Sequence, residues 1–377
     1  MRIYRIFICL LLVCTAYLPF AATTQETTDS LVAKATEAYQ KKEYERSAQL
    51  YSAAIKQGAQ DTGVFYNAAC SFALAGKKEE AFEYLAQSIN RGYANAGHLK
   101  QDTDFISLHT DARWQPLVKK CADNFKVATL KFDEKPSTQS YAFRWDQTSS
   151  PYLTDLRNEY KLEEIIAGKK SDYEKMQAVC HWVRTRWEHN GSNEPQRPDP
   201  IGILQEAATG KRFRCVEYGI VISGALNALG IPARVLGLKT KDVETRESGA
   251  GHVVAEAYLR DQKKWIMIDG QFDVIPVLNG QPLNAVEFQR ALAEAKPGLS
   301  VYSFSGTQAN NYFFWVAPYL FYFDTELDAR VGLIGKNAGS MMLVPIGEKE
   351  PTVFQRKWPI GKMQYTHSIA DFYPQPK

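Results

Sequence analysis

The apolar positions along the chain change period from region to region, and each change marks an element boundary. Between Leu31 and Ile89 they recur at helical spacing in two copies of one pattern, with matching positions 34 residues apart: Ala35 with Ala69, Ser47 with Ala81, Tyr51 with Leu85, Ile55 with Ile89. Small residues in the first two pairs let helices approach closely, and the large ones fill the groove between hairpins. The period predicts two stacked helical hairpins. It decays from Gly92 to Cys121, where Asp102, Asp104, Asp111 and Trp114 mark a piece expected to cap the repeat. Lys131 to Pro151 mixes charge, Ser and Thr with Tyr141, Phe143 and Trp145, as in a partly packed linker.

Helical spacing resumes from Leu156 to Trp187, marked by Ile165, Met176, Val179, Trp182 and Val183, and ends at His189-Asn190-Gly191-Ser192. After a Pro-rich loop, Ile201 to Ala208 reads as a short helix closed by Gly210. Val216 to Leu229 is nearly all apolar or small and stops at Gly230 and Pro232, so Cys215 falls at a helix start. There the unsatisfied N–H groups and the positive end of the dipole favour a thiolate, with Arg212 and Arg214 expected to add charge. The same N–H groups can hold an oxyanion.

The period then drops to two. His252 to Leu259 and Lys264 to Asp269 read as strands joined by Arg260-Asp261-Gln262-Lys263. Alternation puts Val253, Ala255, Ala257, Leu259, Ile266 and Ile268 on one face. His252, Glu256, Tyr258, Trp265 and Asp269 fall on the other, where Glu256 reads as a solvated or salt-bridged residue. A two-residue loop would set His252 directly opposite Asp269, ~4.5–5.5 Å apart at Cβ. A three-residue loop would separate them, so an even register or a bulge is predicted. A thiol, an imidazole to take its proton and a carboxylate to orient the imidazole form a minimal nucleophile, base and orienter set. Asp273 is a second candidate orienter if the strand continues past Gly270.

These blocks resemble a known family. Phe213-Arg214-Cys215-Val216-Glu217-Tyr218, Leu229-Gly230-Ile231-Pro232-Ala233-Arg234-Val235, Gly251-His252-Val253-Val254-Ala255-Glu256-Ala257-Tyr258 and Trp265-Ile266-Met267-Ile268-Asp269 occur in the order of the transglutaminase-like domain. The resemblance covers Met176 to Asp273, about a quarter of the chain. It implies a papain-like fold, with Cys215 as nucleophile on a core helix, and His252 as base and Asp269 as orienting acid on an antiparallel sheet. The family includes cross-linkers, amidases and proteases. Val253 stands where the family has an aromatic, and Gly270-Gln271 where it often has Pro. The oxyanion donor, Gln or Trp in relatives, is not placed by motif, so Gln205 and Trp187 are candidates, and Trp187 and Asn190 are candidate cleft residues. The N-terminal repeat resembles tetratricopeptide repeats at Tyr44-Glu45-Arg46-Ser47 and Lys78-Glu79-Glu80-Ala81, without that family's Trp and closing Pro.

Compartment and charge narrow the function. Arg2 and Arg5, the apolar run Ile6 to Tyr17, and small or polar residues from Ala21 to Thr24 have the layout of a secretory leader too short to span a membrane. A lipoprotein signal at Cys14 would lack the small residues before it. The net charge of +3 falls to +1 without Arg2 and Arg5, which disfavours nucleic acid. Cys70, Cys121, Cys180 and Cys215 have no metal-ligand spacing, though one disulfide among the first three is open. Gly168-Lys169-Lys170-Ser171 lacks the first Gly of a phosphate loop and reads as a turn, and His181, His189 and His367 stand isolated. Tyr312 to Phe323, interrupted by Pro318, reads as core strands or a cleft wall.

The expected organisation is multidomain: a leader over 1–23, an all-α helical repeat with cap over 29–125 and a linker over 126–155. An α+β papain-like, transglutaminase-like catalytic core follows over 156–275, then an aromatic-rich extension packed on it over 276–377. The expected function is a secreted or periplasmic cysteine hydrolase acting on an amide of a peptide or protein through a thioester. Acyl transfer to an amine, and a binding scaffold with an inactive domain, are the alternatives. A protein partner is expected for the repeats; no cofactor, metal or membrane span of the mature chain is expected.

Overall fold

A computed structural model describes residues 26–146, 150–332 and 339–376. The expected leader and Cys14 lie outside them. The chain divides into two compact units, the first ending at Tyr93 and taking in Thr103–Trp114, the second comprising Ala94–Asp102 and the chain from Gln115.

The first unit is helical. Helices α1 (Thr28–Gln40) and α2 (Tyr44–Lys56) form one hairpin, and α3 (Thr62–Leu74) and α4 (Lys78–Asn90) repeat it 34 residues later, residue for residue. The caps repeat as well: Thr27 and Asp61 accept the N–H groups of Ser30 and Gly63. Ala35, Ala69 and Ala81 are fully buried at the close approaches. Ser47 is tolerated at the fourth such position because its hydroxyl donates to the Ala35 carbonyl at 2.8 Å and meets Ser71 at 2.9 Å. Phe105, in the 3₁₀ turn Thr103–Leu108, packs edge-on against Tyr66 and beside Trp114.

The second unit opens with α5 (Ala96–Gln101), and α6 (Trp114–Asn124) follows. Residues 126–146 then form no regular helix or strand, with Phe132 buried and bridges from Asp133 to Ser368 and from Arg144 to Asp328. The helical stretch expected from Leu156 to Trp187 is three helices: α7 (Pro151–Glu159), α8 (Leu162–Ile165) and α9 (Asp172–Arg184). The breaks have local causes, a left-handed residue at Lys161, and Gly168 at φ 76 before Ser171, which caps α9 with Glu174 in a capping box. Next come α10 (Pro200–Ala208) and α11 (Cys215–Ala228), the latter apolar all round because it lies at the centre of the unit.

A six-stranded sheet supports α11. It uses β1 (Ala233–Lys239), β2 (Gly251–Leu259) and β3 (Lys264–Ile268). A small three-stranded sheet follows from β4 (Ile275–Leu278), β5 (Gln281–Pro282) and β6 (Leu299–Tyr302), with α12 (Ala285–Ala293) between the last two and α13 (Ala309–Val316) beyond. The chain then returns to the main sheet with β7 (Tyr322–Glu326) and β8 (Ser340–Leu343). It makes a short hairpin of β9 (Val353–Phe354) and β10 (Trp358–Pro359), and ends in β11 (Met363–Thr366) and α14 (Ile369–Phe372). The main order is β11-β8-β7-β1-β2-β3, antiparallel except for the β11–β8 pair. Half of this sheet, β7, β8 and β11, therefore comes from the chain from Tyr322 onward, well beyond the motif blocks.

Both faces of the sheet are buried. Ala255, Ala257, Leu259, Ile266 and Ile268 meet α11, while Leu236, Leu238, Val254 and Met267 meet α12 and α13. At Gly219 the approach of α11 to β2 leaves no room, since a Cβ would stand 2.9 Å from the Val254 carbonyl oxygen and 3.1 Å from Val253. Gly219→Ala is therefore expected to destabilise the unit by about 1–3 kcal/mol in denaturant titration. An unchanged midpoint would mean that α11 can slide without cost. Among the described residues, no helix is long and apolar enough to cross a membrane.

Candidate active site

Cys215 is the first residue of α11 and is half-buried. The preceding Arg214 is an N-cap with only donors, so it cannot accept the first-turn N–H groups as Ser or Asp would. Its charge, expected to act on Cys215, is instead tied up: the guanidinium pairs with buried Glu217 at 2.8 Å and with Glu194. Arg212 is exposed.

His252 is 2% exposed and Asp269 is fully buried, and His252 Nε2 donates to Asp269 Oδ2 at 2.7 Å. The connecting loop has four residues, Arg260 to Lys263, and the ladder pairs Leu259 with Lys264 through Ala255 with Ile268. The even register keeps both residues on one face, but offset by two residues and past the ladder's end rather than directly opposite. The chain bends after Asp269, whose Oδ1 accepts the N–H of Gln271 at 3.0 Å and of Phe272 at 3.4 Å. Because Nε2 is committed to Asp269, Nδ1 is the atom left to hydrogen-bond the Cys215 thiol. Burial alone would lower the pKa of His252, but the Asp269 carboxylate and then the Cys215 thiolate outweigh it and raise the value to about 10.

The remaining candidates separate. Trp187 is buried against Phe213 and Tyr218, which flank Cys215 in sequence, and its Nε1 has no hydrogen-bond partner. Asn190 donates its backbone N–H to the Phe213 carbonyl at 2.7 Å, while its side-chain oxygen holds the turn at Ser192 and Asn193. Gln205 does not reach the site: it is exposed on α10, donating to Glu159 and accepting from Arg197. Asp273 serves His181, not His252, and its Oδ2 accepts from the Ser305 N–H and hydroxyl. Of the two readings of Glu256, solvated or salt-bridged, the second holds: it is fully buried in a pair with Arg234. His189 lies near the site, since its backbone bridges Phe213, and desolvation followed by the charge of His252 lowers its pKa. His367 Nδ1 bonds the Val344 carbonyl. Cys121 and Cys180 carry no disulfide, so no pair forms among the three candidates.

The aromatic run supplies what its composition did not reveal. Its first half is α13 rather than a strand, and it walls the imidazole: Trp315 meets His252 edge-on at 4.8 Å, and Tyr319 lies 6.0 Å away. Tyr312 donates its hydroxyl to Asp269 Oδ2 at 2.9 Å. Spacing could not have found this contact, because 43 residues separate the partners. A cavity of about 690 Å³ adjoins the site, lined by Val216 and Val253, the residues after Cys215 and His252, with Ile220, Lys239 and Asp324.

Among solved structures, the chain is similar to one described as a putative cysteine protease from Cytophaga hutchinsonii. The two are 15% identical with a TM-score of 0.27, over 46% of this chain and 55% of the other, so the chain spans about half that protein's length. No curated protein matches. Residues 160–270 match the model of the transglutaminase-like superfamily, and the chain carries a transglutaminase-like domain there.

Proposed function

We propose that this protein is an exported cysteine hydrolase acting on an amide bond of a peptide or protein, with Cys215 as nucleophile, His252 as base and Asp269 as orienting acid. The observation that carries the reading is the buried 2.7 Å hydrogen bond from His252 to Asp269 beside a cysteine at a helix start. His252 takes the thiol proton, and the Cys215 sulfur attacks the amide carbonyl. The C–N bond breaks as imidazolium protonates the departing amine, leaving a thioester. Water, giving its proton to His252, then breaks the C–S bond; the acid leaves, and that proton returns to sulfur. The orphan Trp187 Nε1 and the first N–H groups of α11 are the donors proposed for the oxyanion. Export rests on the leader alone.

The assay is ammonia release from a glutamine peptide, with and without an added primary amine. Release unaffected by the amine is the expected result, because water is the proposed acceptor. Amine incorporation at the expense of hydrolysis would make the protein a transferase working through the same thioester. No release from any amide, with Cys215 unreactive to thiol probes, would leave only a binding role for the domain.

A further inference from the structure

We infer that Tyr312, on α13 and outside the motif blocks, is a positioning residue of the site, acting on His252 through the hydrogen bond it donates to Asp269. The inference rests on the proposed role of the Cys215, His252 and Asp269 set. Three observations support it. Tyr312 is 1% exposed and its hydroxyl donates to Oδ2, the same oxygen that accepts from His252 Nε2, at 2.9 Å. Its ring is clamped between Phe272 and Phe288, at 5.4 and 6.3 Å between centroids, so the hydroxyl has a fixed aim. The other carboxylate oxygen is held by two backbone N–H groups, which prevents the group from rotating away from either partner.

The physical consequence is competition for one oxygen. A phenol donating to Oδ2 draws charge from the oxygen that stabilises imidazolium, so it moderates the basicity of His252 while fixing the plane of the carboxylate. Burial and then the Asp269 charge hold the Tyr312 phenol protonated, and thus a donor at every pH of interest. The other titratable groups around His252 are Cys215 on α11, His189 in its backbone bridge to Phe213, and Tyr319 after α13. Each stays in place when the Tyr312 hydroxyl alone is removed.

The test is the ¹⁵N titration of His252 in full-length chain labelled at histidine. Three forms are compared: wild type, Tyr312→Phe, and a chain with 3-fluorotyrosine at position 312. Removing the donor is expected to raise the His252 pKa by about half a unit to one unit. The fluorinated phenol, a stronger donor of nearly the same shape, is expected to shift it the opposite way. Shifts of opposite sign cannot come from loss of packing. If His252 titrates alike in all three, Tyr312 is only core and the inference fails; if Tyr312→Phe does not fold, the fluorotyrosine chain decides alone. Iodoacetamide labelling of wild-type Cys215 is followed in parallel. An inert thiol with a Tyr312-dependent His252 would sink the proposed function and leave the positioning contact standing.

Discussion

Replacing His252 by alanine is expected to slow alkylation of Cys215 at pH 6 by about two orders of magnitude. In the wild type the imidazole keeps its proton up to a pKa of about 10, so at pH 6 the site can hold a thiolate beside an imidazolium. Without the imidazole no side chain is left to take the thiol proton, and an ordinary free thiol is under about 1% ionised at that pH. Amide turnover should fall further, by at least about 10³-fold, because the leaving amine also loses its acid. Mass mapping against Cys215→Ala identifies the labelled residue. Cys121 and Cys180 should not compete, since burial pushes the first thiol up to about 12 and the second well above its ordinary value. Alkylation in His252→Ala within a few-fold of wild type at pH 6 would show that the imidazole does not carry the proton.

The same pair makes a stability prediction whose sign is set by the direction of the shift. His252 has a higher pKa folded than unfolded, so its contribution is complete below about 6.5 and is lost as pH rises toward about 10. Wild type should lose more stability over that interval than His252→Ala does.

What the sequence could show divides along physical lines. A 34-residue period is a local signal repeated, so the two helical hairpins of the first unit and their spacing were legible, though not the ends of each helix. The face shared by His252 and Asp269 was legible too, because strand parity depends only on whether a loop is odd or even. The offset was not, since pairing of Leu259 with Lys264 is decided by how β3 fits beside β2. β1 escaped notice as a strand because its alternation is blurred: Arg234 shares the buried face with Leu236 and Leu238, while Val235 and Gly237 on the other face line the cavity. Most opaque were the contacts of Tyr312, Trp315 and Tyr319, which depend on how the chain returns to the site after the small sheet. No period carries that information.

Glu256 illustrates the same limit, and it gives the prediction with the largest expected effect on stability. Its strand pattern allows a solvated or a salt-bridged carboxylate and does not say which; the second holds, since both it and Arg234 are fully buried in the second unit, 2.8 Å apart between Nη2 and Oε2. Arg234 also donates to the Phe372 carbonyl at 2.8 Å and lies 4.5 Å from the centre of the Trp265 ring. Glu256 in turn accepts from the Ala285 N–H at 3.3 Å and the Tyr373 hydroxyl at 2.9 Å. One ion pair thus joins β1, β2, the start of α12 and the end of the chain. Arg234→Met keeps volume but strands a buried carboxylate, and is expected to cost about 3–5 kcal/mol in denaturant unfolding. Adding Glu256→Gln should recover most of that loss, because the amide oxygen still accepts from Ala285 or Tyr373 and no charge remains to be solvated. If the double variant is as unstable as Arg234→Met, the cost lies in lost packing against Trp265 and Phe372 rather than in the charge. If the single variant loses less than about 1 kcal/mol, water reaches Glu256, and the pair does not anchor the end of the chain to the sheet.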